Sequence, residues 1–235
     1  MASQDKLILY TNHRCPWAHR AHIALEELQV PFEEVIIDLD TPRTPEYLRI
    51  NPRGLVPALS HNGEVIIESA IVVQYLTDRF PSHLVPGSGE PGGALRRARI
   101  SLFVDAFGAK FNAPLFGLYT AQADADKDAI VDKAVAGLVA EVEPLLADAA
   151  PFFGGSDKLT LAEVLTGSFV VRLKTLTAAE VYPKKLWTAI EQQAPNFTRW
   201  AEAVAKHPSV TSIYDEPAII EGTKKRIAKL LAAKK

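Results

Sequence analysis

The point at which this chain passes from a strand into its first helix constrains its fold most strongly. The short apolar run at residues 7–9 is typical of a buried strand. The apolar residues that follow are spaced three or four apart, as on one face of a helix: Ala18, Ala21, Leu25 and Leu28. Cys15 therefore lies at the turn between the two elements. Pro16 takes the first helical position, where proline is favoured because its missing N–H is not needed there.

Cys15 is the only cysteine of the chain, and its position predicts a chemical role. The free N–H groups and the positive end of the helix dipole meet at this residue, which should favour its thiolate form. Arg14, together with His13, would add positive charge nearby. A lone cysteine is more often a small buried residue than a nucleophile, so the helix N-terminus is what favours reactivity here. Because no second cysteine exists, the redox partner of Cys15 must be a small thiol or another protein.

Composition places the chain among ordinary globular proteins. Hydrophobic residues make up 48% and charged residues 23% of its 235 positions. Its 26 basic and 28 acidic side chains leave a formal charge of −2, which offers no electrostatic footprint for nucleic acid. One cysteine excludes a disulfide framework and fits a reducing compartment. No apolar run has the length of a signal-peptide core near the N-terminus or of a membrane span, so we expect a cytoplasmic protein without a membrane partner.

Patterns along the chain predict two domains. Strand and helix patterns follow one another as β-α-β-α-β-β-α over about the first 80 residues. The third strand is expected over residues 55–60, where a proline interrupts it early. Asn62-Gly63 is a strong hairpin signal between it and the fourth strand, and Ser69 is expected to cap the helix that follows.

Residues 81–93, which are rich in proline and glycine, form the clearest linker. We therefore expect an α/β domain over residues 1–84 and an all-α domain over residues 94–235.

The predicted all-α domain contains two distinctive patterns. Within a helical stretch over residues 95–118, large apolar residues recur every four positions: Phe103, Phe107, Phe111 and Leu115. Such a stripe is typical of a core, and a pocket wall is the alternative. Thr160 and Glu163 form a capping box that opens a helical run over residues 164–173. Further predicted helices cover residues 126–147, 184–192, 196–205 and 219–235, the last of them basic and amphipathic with a solvated face.

Four groups of residues together resemble a cytosolic glutathione transferase of the cysteine type, nearest to the omega class and its fungal omega-like relatives. They are Cys15-Pro16-Trp17-Ala18, Asn51-Pro52-Arg53-Gly54-Leu55-Val56-Pro57, Glu68-Ser69 and Thr160-Leu161-Ala162-Glu163. The last group has glutamate where the family usually has aspartate. The resemblance implies a thioredoxin-like α/β N-terminal domain that binds glutathione and an all-α domain that forms the pocket for a second substrate. It also implies a homodimer.

The resemblance assigns roles to individual positions. Val56-Pro57 looks like the family's cis-proline turn, which would present the backbone of Val56 to an extended peptide; an ordinary strand edge is the alternative. Ser69 and Glu68, at a helix N-terminus, would bind the carboxylate and ammonium of a γ-glutamyl group. The alternative is a serine cap with an acid that complements the dipole. The residues implied to bind glutathione are Pro16, Trp17, Arg43, Thr44, Arg53, Leu55, Val56, Pro57, Glu68 and Ser69.

The chain departs from the omega pattern at one position. Omega members place a lysine two residues before the glutamate that corresponds to Glu46, and this chain has Thr44 there. Arg43 or Arg53 is expected to hold the glycine end of glutathione instead. In the all-α domain, the residues implied to line the second-substrate pocket are Phe107, Phe111, Phe169 and Arg172.

Histidines are the remaining candidate ligands for a metal ion. His19 and His22 are three residues apart and could share one face of the first helix. No third ligand accompanies them in the sequence, so we expect no metal site.

The chemistry of a cysteine favours reduction over conjugation. A Cys15 thiolate would attack the glutathione sulfur of a mixed disulfide, release the product thiol, and be freed by a second glutathione. A stabilised thiolate is the better leaving group in that second step. Conjugation needs the thiolate of glutathione to stay free, and a cysteine tends to capture it. We therefore expect a glutathione-dependent thiol transferase or reductase active in deglutathionylation and dehydroascorbate-type reduction, with glutathione as co-substrate and a small hydrophobic or disulfide second substrate.

Two alternatives stay open at this point. One is conjugation of glutathione to electrophiles, including carbon–sulfur bond formation in specialised metabolism. The other is a protein of the same fold without catalysis, either a scaffold or a relative of the chloride intracellular channel proteins, which share a Cys-Pro-x-Ser turn. Retention of Glu68-Ser69 together with Cys15 favours an enzyme.

Overall fold

The computed structural model describes residues 5–233, which divide into two compact units between Ser82 and His83. The division falls inside the predicted linker. The last two residues of the predicted tail helix over residues 219–235, and the first four residues of the chain, lie outside the described residues.

The first unit contains four strands and three helices in the predicted order. They are β1 (Leu7–Thr11), α1 (Pro16–Leu28), β2 (Glu33–Ile36), α2 (Pro45–Ile50), β3 (Ala58–His61), β4 (Glu64–Ile67) and α3 (Ser69–Arg79). The sheet has the strand order β2-β1-β3-β4. β1 runs parallel to β2 and antiparallel to β3, and β3 runs antiparallel to β4. The central strands are largely buried and the edge strands largely exposed.

Local sequence patterns explain most of these boundaries. Helix α1 buries the predicted apolar positions Ala18, Ala21 and Leu25, and it ends at Gln29, which adopts a left-handed conformation with φ of 52°. The hairpin between β3 and β4 turns at Asn62 and Gly63, which both have positive φ values. A two-residue hairpin turn of this kind needs positive φ at both central positions, so the predicted hairpin is confirmed.

The second unit is helical. Its α-helices are α4 (Gly93–Ala106), α5 (Ala113–Leu115), α6 (Asp124–Gly137), α7 (Leu161–Ala178), α8 (Lys184–Gln193), α9 (Pro195–Lys206), α10 (Pro208–Thr211) and α11 (Glu216–Ala232). The stretches predicted as single helices over residues 95–118 and 126–147 are each interrupted. A π-helical segment (Phe107–Asn112) follows α4, and another (Leu138–Val142) follows α6. The first segment lies close to the last residue of α6, Gly137, where a side chain would collide with the Lys110 carbonyl.

An aromatic cluster forms the core of the helical unit, and the predicted capping box is anchored to it. Phe103 packs against Trp200, with ring centroids 5.3 Å apart. The Trp200 indole N–H donates to Glu163 at 2.7 Å, and Glu163 is fully buried. The same carboxylate accepts the N–H and the hydroxyl of Thr160 at 2.8 and 2.7 Å. The capping box at the start of α7 is therefore confirmed, and its glutamate also holds the core.

Two predictions about boundaries were wrong. Ser69 was expected to cap α3, but it is the first residue of the helix, and the cap position belongs to Glu68 with φ of 71°. The strand expected over residues 55–60 begins only at Ala58, after Pro57, whose nitrogen carries no hydrogen to donate to the sheet. Among residues 5–233, no helix is both long enough and apolar enough to cross a membrane.

Candidate active site

Cys15 lies at the turn that joins β1 to α1, as the sequence predicts. It is the cap residue of α1 with an extended conformation, and Pro16 follows at the first helical position. Its N–H donates to the Asn12 carbonyl at 2.9 Å, and its own carbonyl accepts the N–H of His19 at 3.0 Å. The side chain makes no capping hydrogen bond, so the sulfur is not tied to its own helix. The thiol is half-buried and faces the Val56 carbonyl at 3.8 Å.

Asn12 fixes the shape of this turn. Its amide donates to the Ile37 carbonyl at 2.9 Å, and its side-chain oxygen accepts the N–H of Arg14 at 3.0 Å. The side chain is almost fully buried. Asn12 therefore holds the segment before Cys15 against the end of β2, a role that the sequence analysis missed.

The two basic residues expected beside Cys15 each contact a carboxylate. The Arg14 guanidinium pairs with Asp40 at 2.8 Å, and His13 Nε2 lies 2.6 Å from the Glu34 carboxylate. Both pairs are partly exposed, so solvent weakens these interactions.

A buried cation, Arg20, lies one turn into α1 from Cys15. Its side chain is buried, and its Nη1 donates to the Ser69 hydroxyl at 3.2 Å. Its guanidinium also lies 4.6 Å from the centre of the Trp17 ring, as in a cation–π contact. Burial lowers the pKa of Arg20 to about 10, and the charge of the Cys15 thiolate opposes that shift. Arg20 therefore stays charged at neutral pH. In the sequence, the signal that could have pointed to Arg20 was the presence of a basic residue within the apolar pattern of α1.

Val56 and Pro57 are joined by a cis peptide bond, as the resemblance implies. Val56 is buried in a small cluster with Ala18 and Tyr47, against which Cys15 packs. The preceding residue, Leu55, is more than half exposed, but its carbonyl accepts the Tyr47 hydroxyl at 2.5 Å and the Asn51 amide at 2.8 Å. Burial raises the pKa of Tyr47, so the phenol remains a hydrogen-bond donor at neutral pH.

The predicted γ-glutamyl residues adjoin each other at the start of α3. Ser69 is buried and accepts the hydrogen bond from Arg20, whereas Glu68 is exposed and forms an ion pair with Arg53. Arg53 and Glu68 are therefore neighbours in space, although they lie 15 positions apart and no local pattern in the sequence pairs them.

The other candidates for the glycine end have structural roles of their own. Arg43 donates through Nε to the Gly54 carbonyl at 2.9 Å, and through Nη1 to the carbonyls of Asp38 and Thr41 at 2.6 and 2.7 Å. Thr44 caps α2, because its hydroxyl accepts the N–H of Tyr47 at 3.3 Å.

Comparison with known proteins relates the chain to glutathione transferases. Residues 14–79 match the family model described as glutathione S-transferase, N-terminal domain. The chain is 25% identical over 217 residues to the pyrimidodiazepine synthase of Drosophila melanogaster, covering 91% of this chain and 82% of that protein. It is 28% identical over 235 residues to the probable glutathione S-transferase GSTU1 of Oryza sativa subsp. japonica, covering 94% and 97%.

Solved structures show the same architecture over nearly the whole chain. The structure of rice GST1 in complex with glutathione superposes with a TM-score of 0.81 at 24% identity, covering 97% of this chain and 99% of that one. The structure of glutathione transferase Omega 1C from Trametes versicolor gives a TM-score of 0.79 at 24% identity, covering 97% and 98%. The protein has the glutathione transferase fold. The predicted fold class, a thioredoxin-like α/β domain followed by an all-α domain, is confirmed.

The four residues predicted to line a second-substrate pocket lie in the helical unit of this glutathione transferase fold. Phe107 and Phe111 are nearly fully buried, and both rings pack against Phe197. That placement favours the core alternative for the two phenylalanines. Phe169 and Arg172 lie on α7 and are also buried; Arg172 donates to the Ser168 carbonyl at 2.9 Å. Their assignment to a pocket stays a prediction.

Proposed function

We propose that this protein is a glutathione-dependent thiol transferase or reductase in which Cys15 is the nucleophile. The observation that carries the proposal is the placement of the Cys15 thiol, at the N-terminus of α1 and 3.8 Å from the Val56 carbonyl. A helix N-terminus stabilises a thiolate, and Arg20 adds a buried positive charge.

Glutathione would lie along the loop that ends in the cis Val56–Pro57 bond. Its peptide backbone would pair with that of Val56 as an added strand does, which brings its sulfur towards Cys15. Its γ-glutamyl group would sit at the start of α3. There, Ser69 and the helix N–H groups bind the carboxylate, and Glu68 binds the ammonium.

The two arginines would serve opposite ends of glutathione. Arg53 pairs with Glu68, so it belongs to the γ-glutamyl end. Arg43 is held by backbone carbonyls through Nε and Nη1, and its Nη2 makes no hydrogen bond within residues 5–233. That nitrogen is left to bind the glycine carboxylate.

The reaction then has two thiol–disulfide exchanges. The Cys15 thiolate attacks the glutathione sulfur of a mixed disulfide, a Cys15–glutathione disulfide forms, and the second thiol leaves as a thiolate that takes up a proton. The thiolate of a second glutathione attacks the sulfur of the bound glutathione, forming glutathione disulfide and returning the Cys15 thiolate. Stabilisation of that thiolate makes Cys15 a good leaving group in the second exchange. Deglutathionylation is this cycle. Dehydroascorbate would enter it by a different first step, in which the Cys15 thiolate adds to a carbonyl carbon. A glutathione thiolate would then attack the Cys15 sulfur, which forms the Cys15–glutathione disulfide and releases ascorbate with the electron pair of the broken carbon–sulfur bond; the second exchange completes both reactions.

The test compares two reactions of the wild type, Cys15→Ser and Cys15→Ala. One substrate is the mixed disulfide of hydroxyethyl thiol and glutathione, and the other is a chlorinated dinitrobenzene with glutathione. We expect the wild type to reduce the disulfide and both variants to lose that activity. If the wild type prefers the dinitrobenzene and Cys15→Ala retains that rate, the protein is a conjugating transferase. If the wild type is inactive on both substrates and does not bind immobilised glutathione, it is a scaffold. The homodimer and the cytoplasmic location stay predictions, the first of which sedimentation of the purified protein would check.

A further inference from the structure

Three side chains that commonly bind metal ions converge beside the Cys15 turn. His13 comes from the segment before Cys15, His22 from α1 and Glu34 from β2. One ligand atom of each residue lies within 4.8 Å of the other two. The parallel pairing of β1 with β2 brings Glu34 to this place, because it lies opposite Leu9 in the register. In the sequence, His19 and His22 had no third ligand. In the fold, His22 lies beside His13 and Glu34, and His19 is not part of this cluster.

The distances suit a tetrahedral ion after a small adjustment. A zinc ion with bonds of about 2.0–2.1 Å needs ligand atoms about 3.3 Å apart. His22 Nε2 already lies 3.3 Å from the Glu34 carboxylate oxygen. His13 Nε2 lies 2.6 Å from the same oxygen, so it must move outward by about 0.7 Å. The His13 and Glu34 side chains are 42% and 33% exposed, and therefore have room to do so.

The ring of His22 is fixed by its surroundings. Its side chain is only 4% exposed, and its ring meets those of His13 and Phe32 edge to face, with centroids 5.2 and 5.9 Å away. A buried ring held in this way has little freedom to turn its Nε2 away from Glu34. Its Nε2 lies 2.9 Å from the Thr11 hydroxyl, which would be free to bond to a metal-bound water once the nitrogen binds an ion.

We propose that His13, His22 and Glu34 bind a divalent transition-metal ion such as Zn²⁺, with one coordination position left open to water. Two histidines and one glutamate form the ligand set of zinc sites that have three protein ligands and an open position. Imidazole nitrogens select zinc over magnesium and calcium, which prefer oxygen ligands. The bound ion would fasten the segment before Cys15 to β2. The proposal is independent of glutathione chemistry, since none of the three residues is assigned to glutathione.

Zinc titration by calorimetry tests the proposal on the full chain after stripping with a chelator. The titration uses a Cys15→Ser background, because a thiolate also binds zinc. We expect one Zn²⁺ per chain. His13→Gln and Glu34→Gln, added singly to that background, should each weaken binding by at least about tenfold, since even outer partners of a metal site contribute ten- to a hundredfold. Both residues are partly exposed, so the fold should survive these changes, and circular dichroism verifies that it does.

Two variants serve as matched controls. His83→Gln removes an exposed histidine of the other unit, and Glu33→Gln removes the neighbouring carboxylate of β2, which pairs with Lys6. Both should leave the zinc affinity unchanged. The proposal is overturned if the Cys15→Ser protein takes up no zinc, or if its affinity survives both His13→Gln and Glu34→Gln. In either case the three residues form only a hydrogen-bonded link between the segment and β2.

Cobalt substitution gives a second readout on the wild type. Co²⁺ at the proposed site should show the visible bands of a tetrahedral ion without a thiolate-to-cobalt charge-transfer band. Those bands should disappear in His13→Gln and persist in Cys15→Ser. A charge-transfer band that is lost with Cys15→Ser would instead place the ion on the thiol and overturn the assignment.

Discussion

Arg20 donates a hydrogen bond of 3.2 Å to the hydroxyl of Ser69, and so joins the first helix to the start of α3. The two residues are 49 positions apart in the chain. The contact couples the helix that carries the thiol at its N-terminus to the proposed γ-glutamyl site.

Replacing Arg20 should slow the reaction of Cys15 with electrophiles. Arg20→Met removes the buried charge proposed to stabilise the thiolate, and we expect alkylation by iodoacetamide at pH 7 to slow by roughly three- to tenfold. Because Cys15 is the only thiol, total thiol consumption measures its reaction alone. Arg20→Lys should restore part of the rate. Arg14→Met, which removes a cation paired with Asp40, should change the rate less than about twofold. Equal rates in Arg20→Met and the wild type would contradict the role given to Arg20.

The parts of the site that the sequence predicts are those that local patterns determine. An apolar run, a cysteine and a proline at a helix start are sufficient to place Cys15, since each depends only on its neighbours. The Asn62-Gly63 hairpin and the capping box of Thr160 and Glu163 are local in the same sense.

The missed residues act through contacts that are distant in the sequence. Asn12 bonds to Ile37 and Arg20 to Ser69, across 25 and 49 positions. The spacing of residues in the sequence does not predict such pairs, because they depend on how β2 and α3 pack against the first helix. The cap of α3 was misplaced for a different reason. Serine is a favoured cap residue, and the positive φ of Glu68 cannot be inferred from glutamate, which rarely adopts it.

Asn12 should be required for a stable turn before Cys15. Asn12→Ala leaves the Ile37 carbonyl and the Arg14 N–H without their partner, and we expect a loss of about 2–3 kcal/mol in the free energy of unfolding. Asn12→Asp keeps the acceptor for Arg14 but loses the donor to Ile37, so its loss should be intermediate. Urea denaturation measures both. A loss under about 0.5 kcal/mol for Asn12→Ala would show that water replaces the two bonds.

Glu68 should control the affinity for glutathione rather than the chemical step. Glu68→Gln removes the charge proposed to bind the γ-glutamyl ammonium, and a hydrogen bond to a charged group contributes about 1.5–3 kcal/mol. We therefore expect the KM for glutathione to rise by roughly ten- to a hundredfold with kcat little changed. Glu64→Gln, on β4 and also exposed, is the matched control and should leave KM unchanged. A fall in kcat at constant KM would place Glu68 in the reaction instead.

Arg43 should determine whether the protein discriminates glutathione from γ-glutamylcysteine, which lacks the glycine. The wild type is expected to bind glutathione more tightly, because the Nη2 of Arg43 is left for the glycine carboxylate. In Arg43→Gln, the two thiols should bind about equally. Arg53→Gln should weaken both alike, since Arg53 pairs with Glu68 at the other end. Calorimetric titration in a Cys15→Ser background measures binding without disulfide formation. If Arg53→Gln no longer distinguishes glutathione from γ-glutamylcysteine and Arg43→Gln still does, then Arg53 binds the glycine end and Arg43 does not.

Glu163 should contribute far more to stability than an exposed glutamate of the same unit. Its buried carboxylate accepts four hydrogen bonds, from the Phe153 N–H, the Thr160 N–H and hydroxyl, and the Trp200 indole. In Glu163→Gln, an amide N–H₂ group replaces one of the two accepting oxygens. That group cannot accept a hydrogen bond, so at least one donor in the core loses its acceptor. We expect the free energy of unfolding to fall by about 2–4 kcal/mol.

The matched control for this change is Glu141→Gln. Glu141 forms an ion pair with Lys110 in which both side chains are about half exposed, and such pairs contribute about 0–1 kcal/mol. Glu163→Asp, which has the residue usual in the resembling family, keeps the charge but shortens the reach, so it should fall between the two variants. Urea denaturation followed by tryptophan fluorescence is suitable, because Trp200 is one of the four donors. If Glu163→Gln unfolds at the same urea concentration as Glu141→Gln, the carboxylate does not hold the aromatic core, and the packing of Phe103 against Trp200 must suffice without it.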